Sequence, residues 1–210
     1  MTERILSLDV STKTGWALLV SSDSGADLEA YGQEPPISMP DGPYPEAFVD
    51  WAYACFSKIV DLIDRLHPDV LVIEETASGS KSIFSQKILE YIHFLLAKLI
   101  KESKIKTCYL MTEVWRREVG CVMTKEEKEK NKAVRDYKKK VLKETGKKTT
   151  IAYDKNGKRI GLTGRKHVNV RRANEEFGKF LRVPLRKKDE DTADSLMLAF
   201  CYHARRMKKV

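Results

Sequence analysis

The sequence predicts an α/β fold built on a mixed sheet. Three strand patterns follow one another closely at the start of the chain, and further strands then alternate with amphipathic helices. The run DVLVIE, residues Asp69–Glu74, is almost continuously apolar, as in a strand covered on both faces.

Arg4–Asp9 (RILSLD) alternates apolar and polar residues and reads as a strand. Trp16–Val20 (WALLV) reads as a second strand, Ser22–Gly25 as a turn, and Leu28–Gly32 as a third strand, which together give an antiparallel meander. Five prolines at 35, 36, 40, 43 and 45 make the next stretch irregular. Apolar residues at helical spacing (Phe48, Trp51, Ala52, Cys55, Ile59, Leu62, Ile63 and Leu66) predict a helix over Glu46–Leu66, stopped by His67-Pro68. After the DVLVIE strand, Thr76–Ser82 is small and polar. Lys81–Ser103 has a long helical pattern, Lys106–Met111 is a further strand, and a short helix surrounds Val114-Trp115.

Residues 124–165 differ in character. Thr124–Lys143 reads as a lysine-rich helix with few apolar positions, and Thr149–Leu162 as a hairpin about Asn156-Gly157. The block is expected to be an insertion within a single domain spanning 1–210. Arg165–Leu181 is helical and ends before Pro184, and Asp189–Lys208 is a final amphipathic helix.

Composition limits the function classes. A chain of 210 residues buries about 70% of its unfolded surface and needs no disulfide or metal staple. The absence of an 18-residue apolar run and of an export-type start predicts a cytoplasmic protein without membrane spans. Cys55, Cys108, Cys121 and Cys201 are scattered, with no CxxC pair, so a zinc site is not expected and the compartment reads as reducing. The formal charge is +9. Thr124–Arg172 holds 18 basic and 6 acidic residues, a net of +12, against 21 and 24 elsewhere, a net of −3. A charge concentrated in one segment suits a polyanion such as nucleic acid, the plainer alternative being a solvated helix.

The candidate chemistry lies in carboxylates at element ends. Asp9 ends the first strand and Glu74 ends VLVIE; Asp191 and Asp194, spaced i,i+3, share one face near the start of the last helix. Each alone has an ordinary role: a turn cap, a first-turn acid, a solvated polar position, a partner for a lysine. Converging, the four form an oxygen cage for Mg²⁺ or Mn²⁺. Two such ions about 3.5–4 Å apart clamp the attacking and leaving oxygens of phosphodiester cleavage.

These motifs resemble the RuvC family of Holliday junction resolvases, a branch of the RNase H-like fold. LSLDVSTKTGWALL is similar to the family's first strand, Asp-containing turn and second strand. PDVLVIEE places Glu74 at the family's Ile-Glu step, WRREVG resembles its short helix before Val-Gly, and LRVPLRKKDEDTADSLMLAF resembles its Pro-then-DxxDAL helix. The resemblance covers 1–123 and 166–210. It implies a five-stranded mixed sheet flanked by helices, with Asp9, Glu74, Asp191 and Asp194 as catalytic metal ligands for two Mg²⁺ ions, Mn²⁺ substituting, and no small-molecule cofactor. It further implies cleavage of four-way or branched DNA to 5′-phosphate and 3′-hydroxyl ends by a homodimer whose symmetry matches the junction. Arg116, Arg117, Lys166, Arg171 and Arg172 are the candidate DNA contacts. The family's base-stacking aromatic falls at Ala77 here, leaving Phe84 as the nearest later aromatic. The 124–165 block has no counterpart in the compact bacterial enzymes and gives the chain the look of a bacteriophage version. A related nuclease acting on other branched DNA or RNA hybrids, and a junction-binding protein without cleavage, are the alternatives. A sugar-kinase-like fold would need a longer chain and further Gly-rich loops.

Overall fold

A computed structural model describes residues 2–76 and 83–208 of the chain. A five-stranded sheet has the order β3-β2-β1-β4-β5. Its strands are β1 (Glu3–Asp9), β2 (Gly15–Ser22), β3 (Gly25–Gln33), β4 (Val70–Glu74) and β5 (Lys106–Leu110). β1, β2 and β3 pair antiparallel, while β4 pairs parallel with β1 and with β5. The expected mixed sheet is therefore present. β2 and β3 run longer than the apolar pattern indicates, because Gly15, Ser21, Ser22 and Gly25 all join the backbone ladder.

The period of two decides what each strand residue faces. Leu6 and Leu8 of β1 with Leu71 and Ile73 of β4 pack under α1 (Glu46–Leu66) and α2 (Ile83–Ser103), against Phe48, Cys55, Ile59, Ile88, Ile92 and Leu96. Ile5, Val70 and Val72 face the opposite layer. That layer comprises α3 (Thr112–Glu118), α5 (Arg165–Phe177) and α6 (Glu190–Met207), which contribute Trp115, Val168, Ala173, Phe177, Leu196 and Met197. Each such buried aliphatic or aromatic side chain contributes about 1.5–3 kcal/mol by its removal from water.

α6 lies close on the sheet because small residues line the contact. Ser7 on β1 is fully buried and donates through Oγ to the Ser195 carbonyl at 2.6 Å. A Cβ placed on Gly15 would stand 2.2 Å from the Asp191 carbonyl oxygen. The first turn of α6 is therefore pinned to the start of β2.

The block after α3 holds α4 (Lys125–Thr145) and a short hairpin of β6 (Ala152–Tyr153) and β7 (Arg159–Ile160). Thr124 and Glu127 form a reciprocal capping box at the start of α4, and Gly146, at φ +67°, ends the helix. Asn131 receives and donates hydrogen bonds with Thr163, and Val134 and Ala152 are buried. α5 stops at Phe177, short of the Leu181 that the sequence pattern indicates. The Phe177 carbonyl accepts from both Phe180 and Leu181 in a closing turn. Ala77 and the expected helix start at Lys81 lie outside the described residues.

Replacing Gly15 with Ala is expected to lower folding stability by about 1–3 kcal/mol, because backbone must shift to admit the methyl. The matched Gly161→Ala change, which meets nothing within 4 Å, should stay within about 0.5 kcal/mol in the same urea titration.

Candidate active site

Asp9 and Glu74 reach one place through strand parity and register. Asp9 continues the Ile5, Ser7 series on β1 and Glu74 the Val70, Val72 series on β4, so both side chains face the α6 layer. In the parallel pairing Leu8 stands opposite Ile73, and the two acids follow directly. Both sit at the carboxyl ends of their strands, where open α/β sheets place ligands. α6 brings Asp194 over the same point. Carboxylate oxygens of Asp9, Glu74 and Asp194 lie within 4.8 Å of one another.

Asp191 takes a different place. Its backbone is held over Gly15, and its carboxylate accepts a hydrogen bond from the Gln33 amide of β3. It stays near enough to add to the repulsion on Asp9 but lies outside the three-carboxylate group. A separation of i,i+3 puts two residues on one helix face, yet along the axis it spans nearly a turn. Here that turn carries the acids from the β2–β3 side to the β1–β4 side.

Neighbours fix the cluster. Trp115, fully buried on α3, donates from Nε1 to Glu74 Oε1 at 3.1 Å. Asn169, 1% exposed on α5, donates from Nδ2 to Asp194 Oδ1 at 2.6 Å. Arg116 Nη2 lies 2.8 Å from Asp194 Oδ2 and 4.0 Å from Glu74 Oε1. Sequence reading misses the roles of Trp115 and Asn169. The available signal is modest: a tryptophan without solvent needs a partner for its N–H, and an asparagine between Val168 and Val170 on a buried helix needs one for its amide.

The electrostatics show a strained acidic site. Burial, then repulsion from Glu74, Asp194 and Asp191, holds the Asp9 carboxyl well above the usual range. Burial pushes Asp194 up to about 6, against the opposing pull of Arg116 and Asn169. Asp191 is also raised by burial, with Lys13 and Lys166 acting the other way. Oxygen-only donors with unmatched negative charge suit a hard divalent cation. One nearby guanidinium does not neutralise three carboxylates, and Asn169 Oδ1 is a buried acceptor without a partner. The residues present therefore fit such an ion.

The candidate DNA contacts divide in their placement. Arg116 turns inward onto Asp194, because an unmatched carboxylate cluster attracts the nearest cation. Arg171 bridges Glu127, Glu175 and the Val122 carbonyl, and Arg172 holds the Val119 carbonyl and Glu176. Both arginines thus tie α5 to its surroundings. Lys166 is exposed and pairs with Glu190 beside the start of α6. Arg117 is exposed. Phe84 is 63% exposed, its ring 5.8 Å from that of Phe48.

Comparison with known structures follows from this geometry. The structure resembles Thermus thermophilus RuvC in complex with Holliday junction substrate, with a TM-score of 0.60 and 10% identity over 97% of this chain and 96% of that one. Thermus thermophilus RuvC in a second structure gives 0.59 and 12%, over 98% and 96%. The yeast mitochondrial Holliday junction resolvase gives 0.51 and 14%, over 99% and 81%. No family model matches the sequence, and no curated protein matches it. The chain shares its fold with these structures.

The titration sign is set by the raised values. Folding favours the protonated forms of Asp9 and Asp194, so their contribution to stability is full below the unfolded carboxylate value of about 4 and is lost as pH rises through the folded values. In chelator, thermal denaturation of the wild type should show a midpoint falling from pH 4 through about 6. Asp9→Asn should flatten that fall and raise the midpoint at pH 7; identical profiles for the two proteins would show that the carboxylates do not repel as described.

Proposed function

We infer that the protein is a divalent-cation-dependent endonuclease that resolves four-way DNA junctions. The observation that carries this reading is the meeting of Asp9, Glu74 and Asp194 at the carboxyl ends of two parallel strands, in a fold shared with junction resolvases. Magnesium, with manganese able to substitute, is the fitting cation, and two ions per site is the reading adopted.

When bound, such ions neutralise charge and align the oxygens of an in-line displacement at phosphorus. The chain's own residues prepare the place. Asp9 would hold the ion together with Glu74 and Asp194, since its carboxylate meets theirs and is repelled by Glu74, Asp194 and Asp191. Trp115 and Asn169 hold Glu74 and Asp194 against rotation, so the donor set is fixed before the substrate arrives. Asp191, held by Gln33, stands beside the group as a fourth acid. Arg116 balances Asp194 and Glu74 from the α3 side. Lys166, Arg117 and the exposed ring of Phe84 are available to phosphates and bases at the rim.

A four-way junction offers two equivalent strands, and a two-fold dimer supplies two such sites. Ile83 and Phe94 on α2 are 70% and 71% exposed, which supports an apolar contact on that helix. Light scattering on the purified chain should return twice the 24.1 kDa monomer mass. Among the described residues no helix is long and apolar enough to cross a membrane.

With Mg²⁺ or Mn²⁺ the protein should cut a synthetic four-way junction at symmetric positions and spare a linear duplex. Asp9→Asn should reduce that cutting at least about a hundredfold while junction binding persists, since it removes a cation ligand and no phosphate contact. Cutting by the variant at the wild-type rate would refute the assignment.

A further inference from the structure

Helix α4 carries a charge pattern that the carboxylate site does not use. Lys125, Lys128, Lys132, Arg135, Lys139 and Lys143 recur at steps of three and four residues and are all exposed. At 3.6 residues per turn they fall within an arc of about 80° and span about 27 Å of helix. The five acidic residues of α4, at 126, 127, 129, 136 and 144, lie outside that arc. Among the described residues, none of the six basic side chains is in an ion pair, whereas off the arc Glu127 pairs with Arg171 and Glu144 with Lys140.

A helix that needed charge only for solubility would gain from alternating signs at i,i+4. This one sets six like charges within one arc; Glu129 and Asp136, four residues after Lys125 and Lys132, border it but form no ion pair with it among the described residues. Its opposite side is the anchored one. Asn131 and Val134 are buried there, Glu127 meets Arg171, and Tyr137 packs edge-on against Tyr153 at 5.9 Å between centroids. The edge is thus held in a set orientation.

The rooted end of α4 adjoins the carboxylate cluster. The backbone N–H of Cys121, three residues before the Thr124 cap, donates to the carbonyl of Arg116, the residue that pairs with Asp194. Arg171, which grips Glu127, is on the same helix as Asn169, the donor to Asp194. From that end the basic edge runs outward for a length that matches roughly eight phosphates along one strand of B-DNA.

We propose that this edge of α4 is a track for the phosphate backbone of one duplex arm, delivering the branch point of the DNA to the carboxylates. The inference rests on the junction-resolving reading for the identity of the substrate. Its contacts are to phosphate and therefore independent of base sequence.

Two full-length variants with equal charge loss test it. One carries Lys128→Ala, Lys132→Ala, Lys139→Ala and Lys143→Ala. The other carries Lys130→Ala, Lys140→Ala, Lys147→Ala and Lys148→Ala, all off the edge. Alanine favours helix, and Lys147 and Lys148 are exposed just past the Gly146 cap, so both variants should fold, as circular dichroism and thermal midpoints will show. Binding of a synthetic four-way junction and of a linear duplex with the same arm sequence is measured in chelator across a salt series. The edge variant should lose at least about tenfold in affinity near physiological salt, and its slope of log affinity against log salt should drop by about 3–4. The off-edge variant should stay within about threefold of wild type with a slope reduced by less than about 1. Equal losses in both variants, or no loss in the edge variant, would overturn the track. The nuclease reading fails separately: a wild type that shows the edge-dependent binding but cuts no junction with Mg²⁺ or Mn²⁺ loses the assigned chemistry and keeps the track.

Discussion

Carboxylates within 4.8 Å of one another repel, and most of what surrounds Asp9, Glu74 and Asp194 serves to hold them there. The restraint is mechanical before it is electrostatic. Asp9 and Glu74 are fixed by backbone pairing of β1 with β4, and Asp194 by the burial of the α6 face that carries Ala193, Leu196 and Met197. Stability from those contacts is spent holding like charges together, in the manner of sites where local strain persists because the surrounding structure over-determines it. A cation held there would relieve that strain, so affinity for the ion and tension in the scaffold would have one origin.

Helix α6 shows how close packing serves the site. Gly15 and Ser7 leave room for its backbone, and the Ser7 hydroxyl is satisfied by main-chain carbonyls of Ala17 and Ser195. Larger side chains at either position would lift the helix from the sheet and carry Asp194 away from Asp9. Trp115 and Asn169 then act from α3 and α5, so that every element of this layer contributes either an acid or a group that orients one. The opposite layer, α1 and α2, supplies apolar cover for the same strands and exposes the aromatic side chains of Tyr53, Phe84 and Phe94.

The arginines illustrate why charge alone does not reveal a role. Arg116, Arg171 and Arg172 are all basic residues near the site, yet each is committed to internal partners. A guanidinium with five donors in a planar fork bridges carbonyls and carboxylates on separate elements, which joins α5 to the loop after α3 and to α4. The lysines on the basic edge of α4, compact charges on flexible stems, remain in solvent.

The sequence by itself determined the alternation of strands and helices, the apolar faces, and the position of Asp9 and Glu74 at strand ends, because side-chain period and turn chemistry are local properties. It also located the basic block and the hairpin about Asn156-Gly157, since a tight turn depends on its own residues. Tertiary structure alone decided which acids meet. The register that sets Leu8 against Ile73 is a long-range pairing, and the separation of Asp191 from Asp194 follows from where α6 lies across Gly15. The inward turn of Arg116, and the donors Trp115 and Asn169, were likewise decided by packing: a hydrogen bond between residues 78 or 25 positions apart depends on how helices stack on a sheet, and no local pattern encodes that distance.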